Sequence, residues 1–258
     1  MAALFQHPIT INGTIYFASD FHFGAPNKAE SAVREEAVVR WLDTIKEDAN
    51  YLFLLGDIFD FWFEYKDVVP RGNFIFLAKL AELRKKGIVI YYFTGNHDMW
   101  VHNYFKEEIG MEVFHEQQAF LINGKKCIIG HGDGLDPKDK GYRLIKGIFA
   151  FRPNQIIYGA LPPRWAFSLA RFFSRNSRAM NHKKKGEKYV DGDCMLPYIK
   201  GVLQTEKIDL FVYGHRHVPI EQKLEDGAMY YNTGDWLDYD TYLYWKEPHT
   251  IQLLHFER

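Results

Sequence analysis

Five times in this chain a short apolar run breaks off and is followed within three residues by Asp, Asn or His. Ile15-Tyr-Phe-Ala-Ser19 leads into Asp20-Phe-His22, and Tyr51–Leu55 leads into Gly56-Asp57-Ile-Phe-Asp60. Ile88–Phe93 leads into Gly95-Asn96-His97-Asp98, Lys126–Gly130 into His131-Gly-Asp133, and Leu210–Tyr213 into Gly214-His215-Arg-His217. Runs of four to six apolar residues bounded by turn formers read as buried strands. Polar chemistry gathered at strand ends is how an open α/β sheet builds a site, and glycine beside it lets the backbone turn and approach a bound group.

Between the early strands the spacing is helical. Ser31 is placed to cap a helix with Glu35 and Glu36 in its first turn, and Val33, Ala37, Trp41 and Ile45 form the expected core-facing stripe, with Val38 and Leu42 beside it. Asn73–Lys86 reads as the next helix. Alternating helices and fully apolar strands imply a parallel sheet covered on both faces. After Gly110 short strands dominate: Phe114, Ala119–Ile122, Lys126–Gly130, Leu210–Tyr213, Ile220–Leu224, Met229–Asn232 and Thr250–His255. The expectation is an α/β protein with a two-layer β core flanked by helices. Residues 1–136 and 189–258 form that core, and a helical insertion over 137–188 interrupts it.

The strand-end blocks supply two carboxylates, one amide and four imidazoles: Asp20, His22, Asp57, Asn96, His131, His215 and His217. With no thiolate, the set suits Mn²⁺, Fe, Zn²⁺ or Mg²⁺ rather than a soft metal. Seven ligands with Asp57 able to bridge fit two ions about 3.5–4 Å apart, a geometry that clamps and hydrolyses phosphoesters. A lone Asp-x-His or Gly-His-x-His carries little weight, since isolated histidines are usually ordinary surface or core residues. Seven specified residues in five strand-end contexts, each type near one in twenty, are not an accident of composition.

The net charge of −1 conceals an asymmetry. Between Lys138 and Lys188 there are 13 Lys and Arg against two acids, while the remainder carries 19 basic and 31 acidic residues. A basic block inside an acidic protein points to phosphate, nucleic acid or anionic lipid as a partner, against the plainer reading of a solvated face. Apolar bulk is interleaved with it. Pro162-Pro163 starts a helix on which Trp165, Leu169, Phe172 and Phe173 share one side and Arg164, Arg171, Arg175 and Arg178 the other. Ile145, Ile148, Phe149, Phe151, Ile156, Ile157 and Tyr158 precede it. These side chains either pack the insertion onto the core or form an acyl-chain groove with a basic rim, the pattern of attachment to an anionic membrane surface. No nucleic-acid motif and no requirement for a protein partner is evident. No secretory signal precedes the first strand, and two cysteines, Cys127 and Cys194, fit a reducing compartment. The expected location is cytoplasmic.

With these blocks in order, D-x-H, G-D-x-x-D, G-N-H-D, G-H and G-H-x-H, the chain resembles the calcineurin-like metallophosphoesterase superfamily. The resemblance implies a four-layer α-β-β-α sandwich. It also implies Asp20, His22, Asp57 and His217 on one ion and Asp57, Asn96, His131 and His215 on the other, with His97 contacting or protonating the phosphoester. Within the superfamily the chain is similar to the UDP-2,3-diacylglucosamine hydrolases of lipid A biosynthesis. Shared features are Gly56-Asp-Ile-Phe-Asp-Phe-Trp62, a closing Gly234-Asp-Trp236, and an insertion with Asp139-Lys-Gly-Tyr142 and Asn176-Ser177, Asn181 and Lys184. That likeness implies a two-metal pyrophosphatase, Mn²⁺ first among its metals. It would cleave UDP-2,3-diacylglucosamine to UMP and 2,3-diacylglucosamine 1-phosphate as a peripheral protein of the inner membrane. Asn96, His97, Asp139, Ser177, Asn181, Lys184 and His215 would touch substrate. The best-studied branch carries Arg in place of His97. A sugar phosphate leaving group, with a second pKa of about 6, barely needs a proton, so His97 permits that reaction and also more basic leaving groups. The competing readings are a hydrolase of soluble phosphomonoesters, phosphodiesters or nucleotides, and a non-catalytic scaffold of the same fold, which would typically have lost ligands.

Overall fold

A computed structural model describes residues 5–137, 140–170, 193–246 and 250–258. Twelve strands are found among them: β1 (Ile9–Ile11), β2 (Ile15–Ala18), β3 (Tyr51–Leu54), β4 (Val89–Phe93), β5 (Glu112–Phe114), β6 (Gln118–Ile122), β7 (Lys125–Ile129), β8 (Leu210–Tyr213), β9 (Pro219–Lys223), β10 (Met229–Thr233), β11 (Thr241–Lys246) and β12 (Thr250–His255). The described helices are α1 (Lys28–Ile45), α2 (Phe74–Lys85), α3 (Lys140–Ala150), α4 (Arg152–Gly159), α5 over 163–170 and α6 (Leu196–Leu203), with a short π-helix at Phe105–Ile109.

The strands form two six-stranded sheets, ordered β12-β11-β2-β3-β4-β5 and β1-β6-β7-β8-β10-β9. In the first, β2 to β5 are parallel and β11 and β12 extend one edge antiparallel. Because successive strand residues face opposite sides, each of its strands feeds two cores. Ile15, Phe17, Phe53, Tyr91 and Phe93 meet Phe120, Ile122, Ile129, Leu210 and Val212 of the second sheet. Tyr16, Ala18, Leu52, Leu54, Ile90 and Tyr92 pack against α1 and α2. The aromatic excess is used here: Phe53 stacks on Phe17 at 4.7 Å and meets Phe120 edge-on at 5.1 Å, and Trp41 lies 5.2 Å from Trp236. Such pairs add about 0.5–1.5 kcal/mol each beyond area burial. The expected α/β architecture of two β layers flanked by helices is what the chain adopts.

Several details differ from the sequence expectation. Helix α1 begins at Lys28, with Asn27 accepting hydrogen bonds from the N–H groups of Ala29 and Glu30 at 3.0 Å. Ser31 is not the cap; it is buried inside the helix and accepts from Gly24 N at 2.7 Å. Val33 is 56% exposed, and Arg34 takes the buried place beside it at 3%. Asn73 makes no side-chain cap; Glu35 reaches across from α1 to accept from Phe76 N at 3.2 Å. Strands β1 and β11 were not anticipated.

Contacts divide the chain into two compact units, Met1–Glu64, Val69–Gly132 and Lys207–Arg258 in one, Tyr65–Val68 and Asp133–Glu206 in the other. In the second, the Asp133 carboxylate accepts from the Tyr142 hydroxyl at 2.7 Å and pairs with Lys146 Nζ at 2.6 Å, fixing the start of α3. The Tyr158 hydroxyl of α4 donates to the carbonyl of Ala166 in α5 at 2.6 Å. Neither α3 nor α4 buries any residue, and Leu144, Ile145, Ile148, Phe149, Ile156 and Ile157 are exposed, as is Trp165. Among the described residues no helix is long and apolar enough to cross a membrane.

Candidate metal centre

Apart from Asp133, which opens the second unit, every residue of the strand-end blocks lies in the first unit, just past β2, β3, β4, β7 and β8. The loops are held so closely that side chains are excluded beside the ligands. A Cβ on Gly214 would come within 2.5 Å of Ser19 Oγ and 2.7 Å of Asp20 Oδ2. On Gly56 it would meet Gly95 N at 2.6 Å and His131 Nδ1 at 2.7 Å. Five residues that are not glycine adopt the left-handed conformation at this one place: Asp20, His22, Asp57, His215 and His217, with φ between 45° and 68°. Backbone strain of this kind persists only where surrounding contacts dictate it, and it concentrates at functional sites.

Of the three groups of ligand atoms among the described residues, two share Asp57, namely Asp20, His22, Asp57 and His217 in one and Asp57, His131 and His215 in the other, while His22, Asp60 and His97 form the third; the atoms of each lie within 4.8 Å of one another. Asp20 Oδ1 stands 3.7 Å from His22 Nε2 and 3.4 Å from His217 Nε2. Asp57 Oδ2 stands 3.6 Å from His22 Nε2 and 3.5 Å from His131 Nε2. These separations are long for hydrogen bonds, but two atoms each about 2.1 Å from one ion are held roughly 3–3.5 Å apart. The remaining oxygens are occupied: Asp57 Oδ1 accepts from His97 N at 2.8 Å, and Asp20 Oδ2 accepts from His215 N at 2.9 Å and from the Ser19 hydroxyl. Each carboxylate therefore turns its other oxygen toward the imidazoles, and that of Asp57 faces one from each group.

Buried polar atoms without a hydrogen bond are rare and demand an explanation. Asp20 Oδ1, both ring nitrogens of His22, and Asn96 Oδ1 are of this kind. A pair of cations would satisfy Asp20, His22 Nε2 and Asn96, so the donor set fits the divalent ions that its chemistry calls for. Protonation states agree. Burial would raise the Asp57 carboxyl, but positive charge on the imidazoles of His131, His97 and His22, where they are protonated, holds it well below the usual carboxylate range. Burial lowers His22, keeping its imidazole neutral. His131 directs Nδ1 at the Leu55 carbonyl, 2.7 Å away, and since a carbonyl only accepts, Nε2 is left with its lone pair toward Asp57.

His97 lies beside the first group, its ring edge-on to His22 at 4.8 Å and its Nδ1 2.9 Å from the Asp60 carbonyl. Asp139, Ser177, Asn181 and Lys184 lie outside the described residues.

Two residues acquire roles that sequence reading did not give them. Asp98, fully buried, accepts from Gly95 N at 2.7 Å, Ile58 N at 2.9 Å and the Tyr92 hydroxyl at 2.5 Å, tying the second block to the third; burial and Asp57 push its pKa up to about 6. Its only signal was its place in Gly95-Asn96-His97-Asp98. Arg34 donates Nε to the Phe21 carbonyl at 2.5 Å and Nη2 to those of His22 and Ala25 at 2.8 and 2.5 Å, clamping the loop that carries Asp20 and His22. An arginine within an apolar stripe was the clue to it.

The profile of calcineurin-like phosphoesterases matches residues 13–219. The chain belongs to the calcineurin-like phosphoesterase family and is a metal-dependent hydrolase of phosphoester or pyrophosphate bonds. Among its relatives is the UDP-2,3-diacylglucosamine hydrolase of Porphyromonas gingivalis, 33% identical over 244 residues that cover 90% of this chain and 93% of the relative. Proteins of the same name from Hamiltonella defensa (32% identical, 72% of this chain and 71% of the relative) and a Shewanella species (27%, 86% and 89%) are also similar.

Proposed function

We propose that this protein hydrolyses the pyrophosphate bond of UDP-2,3-diacylglucosamine, releasing UMP and 2,3-diacylglucosamine 1-phosphate for lipid A biosynthesis. The observation that carries the reading is the Oδ2 of Asp57 facing two ligand groups, in a chain with a relative of that name matched over 93% of its length.

Asp20, His22, Asp57 and His217 would hold one ion and Asp57, Asn96, His131 and His215 the other. When bound, divalent ions of this kind, Mn²⁺ in our reading, supply Lewis acidity to phosphate oxygens and lower the pKa of water. Water adds to the uridine-side phosphorus as the bond to the bridging oxygen breaks, and that oxygen leaves with the sugar phosphate. Asp57 keeps the two ligand groups at one spacing, because the His97 N–H fixes its other oxygen. His97, with Nδ1 engaged by the Asp60 carbonyl, presents Nε2 to the phosphate or to the leaving oxygen. Asn96 and His215 would contact the phosphate alongside it. Asp139, Ser177, Asn181 and Lys184 would add contacts to the diphosphate and sugar.

The exposed apolar residues of α3 and α4 support a lipid substrate, and the surrounding Lys and Arg support a cytoplasmic protein attached peripherally to an anionic inner-membrane surface. His97 favours a second reading, hydrolysis of soluble phosphodiesters. Both are tested by offering purified protein UDP-2,3-diacylglucosamine, its deacylated analogue and a chromogenic phosphodiester with Mn²⁺. The lipid reading expects the acylated substrate to have the highest kcat/KM; equal rates on acylated and deacylated substrates would leave the soluble-substrate reading in its place.

A further inference from the structure

The two ligand groups are not equivalent. The first carries two carboxylates, Asp20 and Asp57, whereas among the described residues Asp57 is the only carboxylate in the second. One imidazole of each group is also backed differently. His131 Nδ1 rests on a neutral carbonyl, that of Leu55, at 2.7 Å. His217 Nδ1 rests on a carboxylate, Asp235 Oδ2, at 2.9 Å. Asp235 is fully buried, and its second oxygen accepts backbone N–H groups from Leu237, Asp238 and Tyr239 at 3.2, 2.9 and 3.3 Å. Its orientation is therefore set by the loop after β10, and the next residue of that loop, Trp236, donates its N–H to the Asp20 carbonyl at 3.3 Å. A carboxylate behind a metal-binding imidazole fixes the tautomer and raises the basicity of the other nitrogen, and losing such a partner typically weakens metal binding about 10–100-fold.

We propose that Asp235 is a positioning residue for His217 that makes the Asp20–His22–Asp57–His217 group the tighter of the two sites, filled before the one at His131 and His215. The inference rests on the two-ion reading above. It makes an unusual demand on substitutions. In Asp235→Asn, the three backbone N–H groups require the amide oxygen at their side, so the NH₂ must face His217 Nδ1. That donor forces Nδ1 to accept and puts the proton on Nε2, the nitrogen that faces Asp20. Asp235→Ser removes the carboxylate but leaves the imidazole free to take either tautomer. Fold stability should thus fall further in the serine variant, which gives up the loop contacts, while metal affinity should fall further in the asparagine variant.

The test is calorimetric titration of chelator-stripped, full-length protein with Mn²⁺, beside thermal melts of the metal-free variants. Wild type is expected to bind two ions in distinguishable steps. His215→Ala should keep the tight step and His217→Ala should lose it. Asp235→Asn should weaken the tight step by 10-fold or more, on the order expected for such a partner, with Asp235→Ser intermediate and the weak step changed less than threefold in both. The proposal is overturned if affinity and melting temperature follow the same order across the variants, if both steps weaken equally, or if Asp235→Asn binds its first ion as wild type does. A wild type that binds a single ion would instead refute the two-ion reading and the filling order, while the effect of Asp235→Asn on that ion would still decide the role of Asp235.

Discussion

Replacing Asp57 by Asn probes the centre with almost no change of shape. Asp57 Oδ1 accepts from His97 N at 2.8 Å, and Oδ2 lies 3.6 and 3.5 Å from His22 and His131. The His97 N–H requires an acceptor, so the amide oxygen takes the Oδ1 position and the NH₂ points at both ligand groups. The variant loses a negative charge and offers two N–H bonds where two ions would share an oxygen. Loss of even an outer partner of one ligand weakens a site about 10–100-fold. A ligand common to both sites incurs at least that in each, roughly 10²–10⁴ in their product. Turnover of the nucleotide-lipid substrate, followed as UMP release at fixed Mn²⁺, should fall by at least that product, and metal content by elemental analysis should drop below two ions per chain. Turnover within tenfold of wild type, with two ions still bound, would refute the shared-ligand assignment.

His97→Arg should retain substantial activity on the nucleotide-lipid substrate but lose about 10²–10⁴-fold on phosphodiesters with basic leaving groups, the range typical of a missing general acid; equal losses on both would remove the leaving-group argument. Ile148→Ser together with Phe149→Ser should flatten the dependence of KM on acyl length, which at about 0.8 kcal/mol per buried CH₂ is steep if α3 meets the chains, and an unchanged dependence would place the chains elsewhere. Arg34→Gln strips donors from the carbonyls of Phe21, His22 and Ala25. At about 1–3 kcal/mol for each buried group left unpaired, stability should fall by about 3 kcal/mol or more. The corresponding shift in Tm is roughly 6–12 °C for a chain of this size, measurable by calorimetry on metal-free protein, and a shift under 2 °C would contradict the clamp.

The residues brought together at the strand ends were legible because their signal is local: a buried strand, a glycine, then Asp, Asn or His. The geometry makes the glycine necessary, since a Cβ on Gly214 or Gly56 would strike the neighbouring block. What was misread fails for physical reasons. Val33, Ala37, Trp41 and Ile45 are spaced by four, but an α-helix turns in 3.6 residues, so each step overshoots by about 40°. Over three steps the row leaves the buried face, and Val33 is in solvent while Arg34 is inside. Asn27 and Ser31 are both good capping residues, and only the Gly24 N–H, which claims the Ser31 hydroxyl, decides between them. Strand β11 (Thr241–Lys246) carries Tyr, Leu, Tyr and Trp on successive positions, so no apolar–polar alternation marks it. The pairing of His217 with Asp235 spans 18 residues, and the contacts by which Asp98 reaches the second block span about 40, so neither link has a local signature. The apolar residues of α3 and α4 were legible as excess, and their exposure excludes packing into the core.

The central claim, two ions sharing Asp57, is tested most directly by anomalous diffraction at the manganese edge from crystals grown with Mn²⁺. Two peaks about 3.5–4 Å apart are expected, one within bonding distance of Asp20, His22 and His217, the other of Asn96, His131 and His215, with Asp57 Oδ2 touching both. A single peak, or two peaks of which only one contacts Asp57, would contradict it.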